Sequence, residues 1–162
     1  MFEVIRWPEE MLPSRNAIHF TNELDVDVSP EVIWSTLTDT SLWPAFYPNV
    51  SSVTLLDGAT AFELGTRFEA GLAGLDVLAT VAEYEPYERI AWYGGPKDHP
   101  DSTAYHAWIF TPTETGTHLW TEEVTRGPLW IELAKSAPDR FWLDHEKLLR
   151  DLSVQARLRA GK

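Results

Sequence analysis

The chain has 162 residues, is 44% hydrophobic, and carries a formal charge of −12 from 25 acidic against 13 basic residues, with no cysteine. That size and apolar content suit a single domain with its own core. The missing cysteines exclude disulfides, thiolate catalysis and cysteine-held metal centres, and the acidic balance argues against nucleic acid or anionic membrane surfaces as partners.

No run approaches the roughly 20 apolar residues that span a bilayer, and the first residues lack the basic patch and apolar core of a signal peptide. A cytoplasmic protein without membrane insertion is therefore expected. Residues 1–16, with Pro8, Pro13 and the adjacent Glu9-Glu10, read as an irregular leader packed on the body through Trp7. The remainder, 17–162, reads as one domain.

Val26 and Val28 alternate with Asp25 and Asp27, the period of a half-buried strand, so the first strand is placed at about 17–28. Ser29 then offers an N-cap oxygen and Pro30 suits the first helical position, where its missing N–H costs nothing. Ile33 and Leu37 share one face of that helix. The Thr38–Ser41 run ends it and caps a second short helix carrying Leu42, Trp43 and Phe46, which Pro48 stops. Strands follow at about 50–56, 65–71, 75–84, 89–93, 103–111 and 117–126. Asp57-Gly58 supplies a turn with positive φ, and a turn at Gly71–Gly74 leads into the fourth strand. Residues 94–101, GGPKDHPD, read as a long polar loop. Successive strands joined by short turns argue for an antiparallel meander.

Pro128 starts a last helical region, and Pro138 is expected to interrupt it between Lys135 and Asp139. Beyond the break, helical periodicity puts Phe141, His145, Leu148, Leu149, Leu152 and Ala156 on one stripe. His145 lies near the stripe's centre and should face the sheet. There it is either a neutral core histidine donating to a carbonyl or a Glu, or a polar anchor and acid/base group on a cavity floor.

Strand six offers two faces, Tyr105, Ala107, Ile109 and His106, Trp108, Phe110, and alternation does not say which is inner. One acid of the Glu122-Glu123 pair must point inward, and a buried carboxylate needs a partner. Arg67 and His145 are the candidates. The five histidines lack helical ligand spacing, and His106 and His118, as possible cross-strand neighbours, make only a weak metal signal; no metal site is expected. Glycine-rich phosphate loops, H-E-x-x-H and G-x-S-x-G are absent from the sequence.

The order of motifs resembles the SRPBCC superfamily, the START-like or helix-grip group that includes polyketide cyclases and lipid-transfer proteins. The residues that carry the likeness are Ser29, Pro30 and Ile33-Trp34, then Trp43-Pro44-Ala45-Phe46-Tyr47-Pro48, then Leu64-Gly65-Thr66-Arg67-Phe68. The strand pair from Val81 to Trp92, the last hairpin with Gly116-Thr117 and Thr121-Glu122-Glu123, and a helix after Gly127-Pro128 complete it over about 17–158. The likeness implies an α+β helix-grip fold, a seven-stranded antiparallel sheet curved around a long C-terminal helix, with two short helices after strand one. Such a sheet leaves a tapering space. With 12% aromatic residues in the chain, an aromatic-lined cavity for a small hydrophobic molecule is the first functional expectation. Its expected walls are Trp92, Tyr105, Trp108, Phe110, Phe141, His145 and Leu149. The alternatives are a polyketide cyclase or aromatase using His145, Glu123, Arg67 and Tyr105 as acid/base residues, and a non-catalytic ligand-sensing module. No cofactor is expected, and the chain is expected to act as a monomer or homodimer.

Overall fold

The computed structural model describes residues 5–162, so the first four residues of the expected leader lie outside it. The elements in chain order are β1 (Ile18–Val26), α1 (Pro30–Thr38), α2 (Trp43–Phe46), β2 (Val50–Leu55), β3 (Arg67–Leu72), β4 (Leu75–Glu85) and β5 (Arg89–Pro96). They continue with β6 (Thr103–Pro112), β7 (Thr117–Arg126), α3 (Pro128–Ser136) and α4 (Arg140–Arg159). The strands form one antiparallel sheet in the order β1-β7-β6-β5-β4-β3-β2. Helix α4 packs against β1, α1 and α2. The expected helix-grip arrangement is the one the chain adopts.

Local chemistry explains the joints. Ala73 and Gly74 take φ of 52° and 84°, the paired left-handed geometry that lets the tight β3–β4 hairpin follow strand twist, and Asp57 and Gly58, at 56° and 77°, make a like turn at the start of the longer β2–β3 connection, closed by the Ala59 N–H on the Leu56 carbonyl at 3.0 Å. Asp39 caps the turn that leads into α2 by accepting the Ser41 N–H at 3.3 Å. Ser29 behaves differently from expectation. It occupies the N-cap position, but its hydroxyl makes no cap bond, and its carbonyl takes the N–H groups of Val32 and Ile33. The break between α3 and α4 falls at residues 137–139, where Ala137 is held at φ −148°, ψ 78° ahead of Pro138.

The expected loop at 94–101 begins later, because β5 runs on to Pro96 through Gly94 and Gly95. A Cβ on Gly94 would stand 2.1 Å from the Leu78 carbonyl oxygen, so glycine there is what lets β4 and β5 approach and stay paired.

Two apolar layers flank the sheet. The larger, between the sheet and α1, α2 and α4, contains Ile33, Leu37, Trp43, Phe46, Trp92, Trp108, Phe110, Leu119, Leu149 and Leu152. The smaller lies on the opposite face, where Ile5 and Met11 of the leader cover Ala91, Tyr105, Ala107 and Val124. The Trp7 ring centre is 5.2 Å from that of Tyr105, so the leader docks on the body as its tryptophan suggests. A bulge in β4 between Val81 and Glu83 separates the two chemistries of that strand. Before it, Val77, Ala79 and Val81 face the large layer or the cavity beside it. After it, Glu83 faces the leader, accepting the Arg6 N–H, and Tyr84 packs on the main core.

Candidate functional site

Between the sheet and the helices α3 and α4 lies a cavity of about 300 Å3. Its floor is Trp92, Gly94 and Gly95 from β5 and Ala104 from β6, where missing or short side chains leave space. Leu72, Ala73, Leu75 and Val77 from the β3–β4 hairpin form one wall, and Leu129, Trp130 and Leu133 from α3 form another. Half-exposed Arg140 and Asp144, paired at 3.5 Å, also border it. The break at Pro138 matters here, because it lets α3 fold back and carry its apolar side chains to the cavity.

Polar groups gather at one end: Tyr47, His106, Glu123 and His145. Each arrives from a different element. His106 on β6 and Glu123 on β7 are direct cross-strand partners with side chains on the same face. His145 reaches down from the first turns of α4, and Tyr47 follows α2.

The hydrogen bonds define which nitrogen carries each proton. The Thr121 hydroxyl donates to the Ala107 carbonyl at 3.0 Å, so it accepts from His106 Nε2–H at 2.7 Å. His106 Nδ1 is then an acceptor: the Tyr47 hydroxyl donates to it at 3.1 Å, and Glu123 Oε2 lies 3.4 Å away. The Phe141 carbonyl can only accept, so His145 Nδ1–H donates to it at 2.8 Å. His145 Nε2 is left facing Glu123 Oε2 at 2.9 Å.

Burial drives the His106 pKa down to about 3, against the pull of Glu123, so this imidazole is neutral near pH 7. Burial pushes the Glu123 carboxyl up, but the two imidazoles facing it outweigh burial and hold it below the usual carboxylate range. Burial and then Glu123 raise the Tyr47 phenol well above its ordinary value, so it stays a donor. The end of the cavity therefore presents an ionised carboxylate, a neutral imidazole and a phenol.

The expected site residues separate into three groups. Trp92, Phe141 and His145 border the cavity, and Glu123 is the inward acid beside His145. Trp108, Phe110 and Leu149 are buried in the large core and do not line the cavity; Leu148, one position along α4, takes the place expected of Leu149. Tyr105 and Arg67 are elsewhere. Tyr105 points to the opposite face, under the leader, where it donates to Glu83 at 2.7 Å. Arg67 is half-exposed on β3 and pairs with Asp57 at 3.2 Å. His106 does not neighbour His118 either, since the register sets His118 opposite Thr111. His106 was weighed only beside His118, and Tyr47 only as part of a motif; a hairpin register taken from the Thr113–Gly116 turn would have set His106 against Glu123.

The family model described as polyketide cyclase / dehydrase and lipid transport matches residues 17–149. A hypothetical protein of Helicobacter pylori is similar in structure, with a TM-score of 0.86 and 27% identity over 97% of this chain and 98% of that one. The di-domain aromatase/cyclase StfQ of the steffimycin biosynthetic pathway matches with a TM-score of 0.68 and 18% identity, over 89% of this chain and 52% of that one. A protein of Chromobacterium violaceum gives a TM-score of 0.66 at 15% identity, over 85% of this chain and 96% of that one. The last two likenesses concern the fold alone. A sequence comparison with curated proteins returned no match.

Proposed function

The chain belongs to the polyketide cyclase / dehydrase and lipid transport family, and from that premise we propose that it binds a small hydrophobic molecule bearing one polar, oxygen-containing end. The observation that supports this most is the cavity's asymmetry. Tryptophan, leucine, alanine and glycine form its length, whereas Tyr47, His106, Glu123 and His145 converge at one end. Apolar walls supply affinity, and a few placed polar groups set orientation. The bare floor at Gly94 and Ala104 beside the Trp92 ring suits a flat or ring-bearing molecule.

A second reading is favoured by the contact of 2.9 Å between His145 and Glu123 at the cavity's edge. A carboxylate and an imidazole in hydrogen-bonding reach are what a cyclase or dehydratase uses. One group removes a proton beside a carbonyl and the other returns one to the oxygen. Tyr47 would then steady the carbonyl oxygen by hydrogen bonding.

Native mass spectrometry of the purified chain identifies a bound molecule directly. Ala104→Leu supplies the complementary test, since it fills the floor without touching the polar end. We expect the variant to fold and to lose affinity for apolar, ring-bearing probes by more than about tenfold. Equal uptake by both proteins would remove the cavity from consideration. For the enzymatic reading, His145→Gln keeps a hydrogen-bonding group of similar size; cyclisation of a poly-β-ketone substrate unaffected by it would leave that reading without support.

A further inference from the structure

We propose that His106, Glu123 and His145 form a site for a first-row divalent transition-metal ion, open on one side to the cavity. The site goes beyond the ligand reading and does not depend on which organic molecule enters. Its three donor groups lie within 4.8 Å of one another, and among the described residues no other group of three or more His, Cys, Asp or Glu has this property.

The first support is the direction of the lone pairs. His106 commits Nε2–H to Thr121, and His145 commits Nδ1–H to the Phe141 carbonyl. Each imidazole therefore keeps its remaining nitrogen uncommitted within 3.4 Å of the same carboxylate oxygen. Metal-binding histidines are held in this way, one nitrogen donating to a protein acceptor and the other left for the ion. Nothing about a plain buried histidine requires both rings to be fixed so.

The second support is an unsatisfied atom. His145 is buried, and its Nε2 has no hydrogen bond of acceptable direction, although Glu123 Oε2 is only 2.9 Å away. A proton on Nε2 would point past the carboxylate. A cation set between the groups instead satisfies three acceptors at once.

The third is spacing. Ligands about 2.0–2.2 Å from a zinc-like ion at tetrahedral angles lie roughly 3.3–3.6 Å apart, and tighter angles bring them to roughly 2.9 Å. The two edges meeting at Glu123 Oε2 are 2.9 and 3.4 Å. Loading contracts the remaining edge and exchanges the hydrogen bond from Tyr47 for a bond to the ion. The Tyr47 hydroxyl is then free to bond a water, or a ligand oxygen, at the open position. Two imidazoles and one carboxylate suit zinc, iron, cobalt or nickel better than magnesium or calcium, which take oxygen sets.

Chelator-treated full-length protein titrated with Co2+ tests the proposal. We expect one equivalent to bind, with the visible bands of a four- or five-coordinate ion, and Zn2+ to displace it. His145→Gln and Glu123→Gln should each weaken binding by more than about 100-fold, and Thr121→Val, which loosens His106, by about tenfold. His118→Ala is the control, because partly exposed His118 contacts Asp25 at 2.7 Å and Glu23 at 3.2 Å and is the surface position where cations would collect adventitiously. It should leave binding unchanged. Absence of visible bands in the wild type overturns the proposal, as does binding that survives both ligand variants and vanishes in the control. Near-UV circular dichroism checks folding. If either ligand variant fails to fold, ring signals in the zinc-loaded wild type decide: shifts at His106 and His145 support the site, and shifts at His118 alone refute it.

Discussion

Glu83 accepts the Tyr105 hydroxyl at 2.7 Å across strand β5, on the face of the sheet turned away from the cavity. The same carboxylate lies 3.4 Å from Arg89 and takes the Arg6 backbone N–H at 2.9 Å. Glu83, Arg89 and Tyr105 are all buried, with the leader over them. Removing one partner of a buried ion pair strands the other, at a cost of about 3–5 kcal/mol. Glu83→Ala is therefore expected to lower the unfolding free energy measured in urea by that much. Tyr105→Phe, which withdraws only a donor, should cost about 1–3 kcal/mol. A Glu83→Ala protein as stable as wild type would show that the cluster does not contribute to folding.

The leader's own contribution can be measured at Met11, which is fully buried against the sheet. Truncating a buried methionine costs about 2–5 kcal/mol through lost transfer energy and the cavity left behind. Met11→Ala should show this loss in equilibrium unfolding. A change below about 0.5 kcal/mol, the range of ordinary surface positions, would mean that the leader is not folded onto the sheet in solution.

At Pro138 the expectation concerns geometry more than stability. Alanine there restores an N–H and relieves the constraint on Ala137, so α3 can extend toward α4 and carry Leu129, Trp130 and Leu133 away from the cavity. Pro138→Ala should alter the near-UV dichroism of its tryptophans and weaken uptake of apolar probes, leaving the far-UV strand signal unchanged. Unaltered probe affinity would separate the break from the cavity's shape.

Acid sensitivity is expected at the C-terminal end of α4. The hydrogen bond from Arg157, at 2.6 Å, is the main force holding the Asp27 carboxyl below its ordinary 3.8, with burial opposing. Asp39 is held low first by the Ser41 hydroxyl, with burial opposing and Arg159 assisting. A carboxyl depressed in the folded state takes up its proton later than in the unfolded chain. Its stabilising effect is thus complete above the unfolded value and is lost as pH falls through about 4 toward the folded one. Melting temperatures of Asp27→Asn and Asp39→Asn proteins should fall less steeply than wild type below pH 4, with the difference reduced by salt. Parallel curves for wild type and variants would exclude these pairs.

Strand number and order along the chain, the positive-φ turn at Asp57-Gly58, the break at Pro138 and the inward direction of His145 were legible because each follows from local periodicity or a single residue's backbone limits. The face of β6 was not. Tyr105 and Trp108 are both fully buried, one beneath the leader and the other in the main core, so alternation along that strand carries no sign of inside and outside. The pairing of His106 with Glu123 depends on hairpin register, which a one-residue difference in the turn reverses. The reversal of faces in β4 was equally hidden, since the bulge at Val81–Glu83 interrupts a pattern that reads as regular. Leu148 and Leu149 share the stripe of α4 but stand about 100° apart around the helix axis, and periodicity alone does not say which of them meets the cavity.

The sheet places the first strand of the chain beside the last, with Ile18 opposite Thr125 and Val26 opposite Thr117. Synthesis from the N-terminus therefore releases β1 long before its partner β7 exists. Closure of that pair requires the ends of a loop of about a hundred residues to meet, and such non-local pairing slows folding. All three donors of the proposed metal site also lie C-terminal to residue 100. A nascent chain halted before β7 should thus remain protease-sensitive at β1, and resistance should arise only once α4 has left the ribosome, so that the sheet's edge and its polar cluster mature in the same late event.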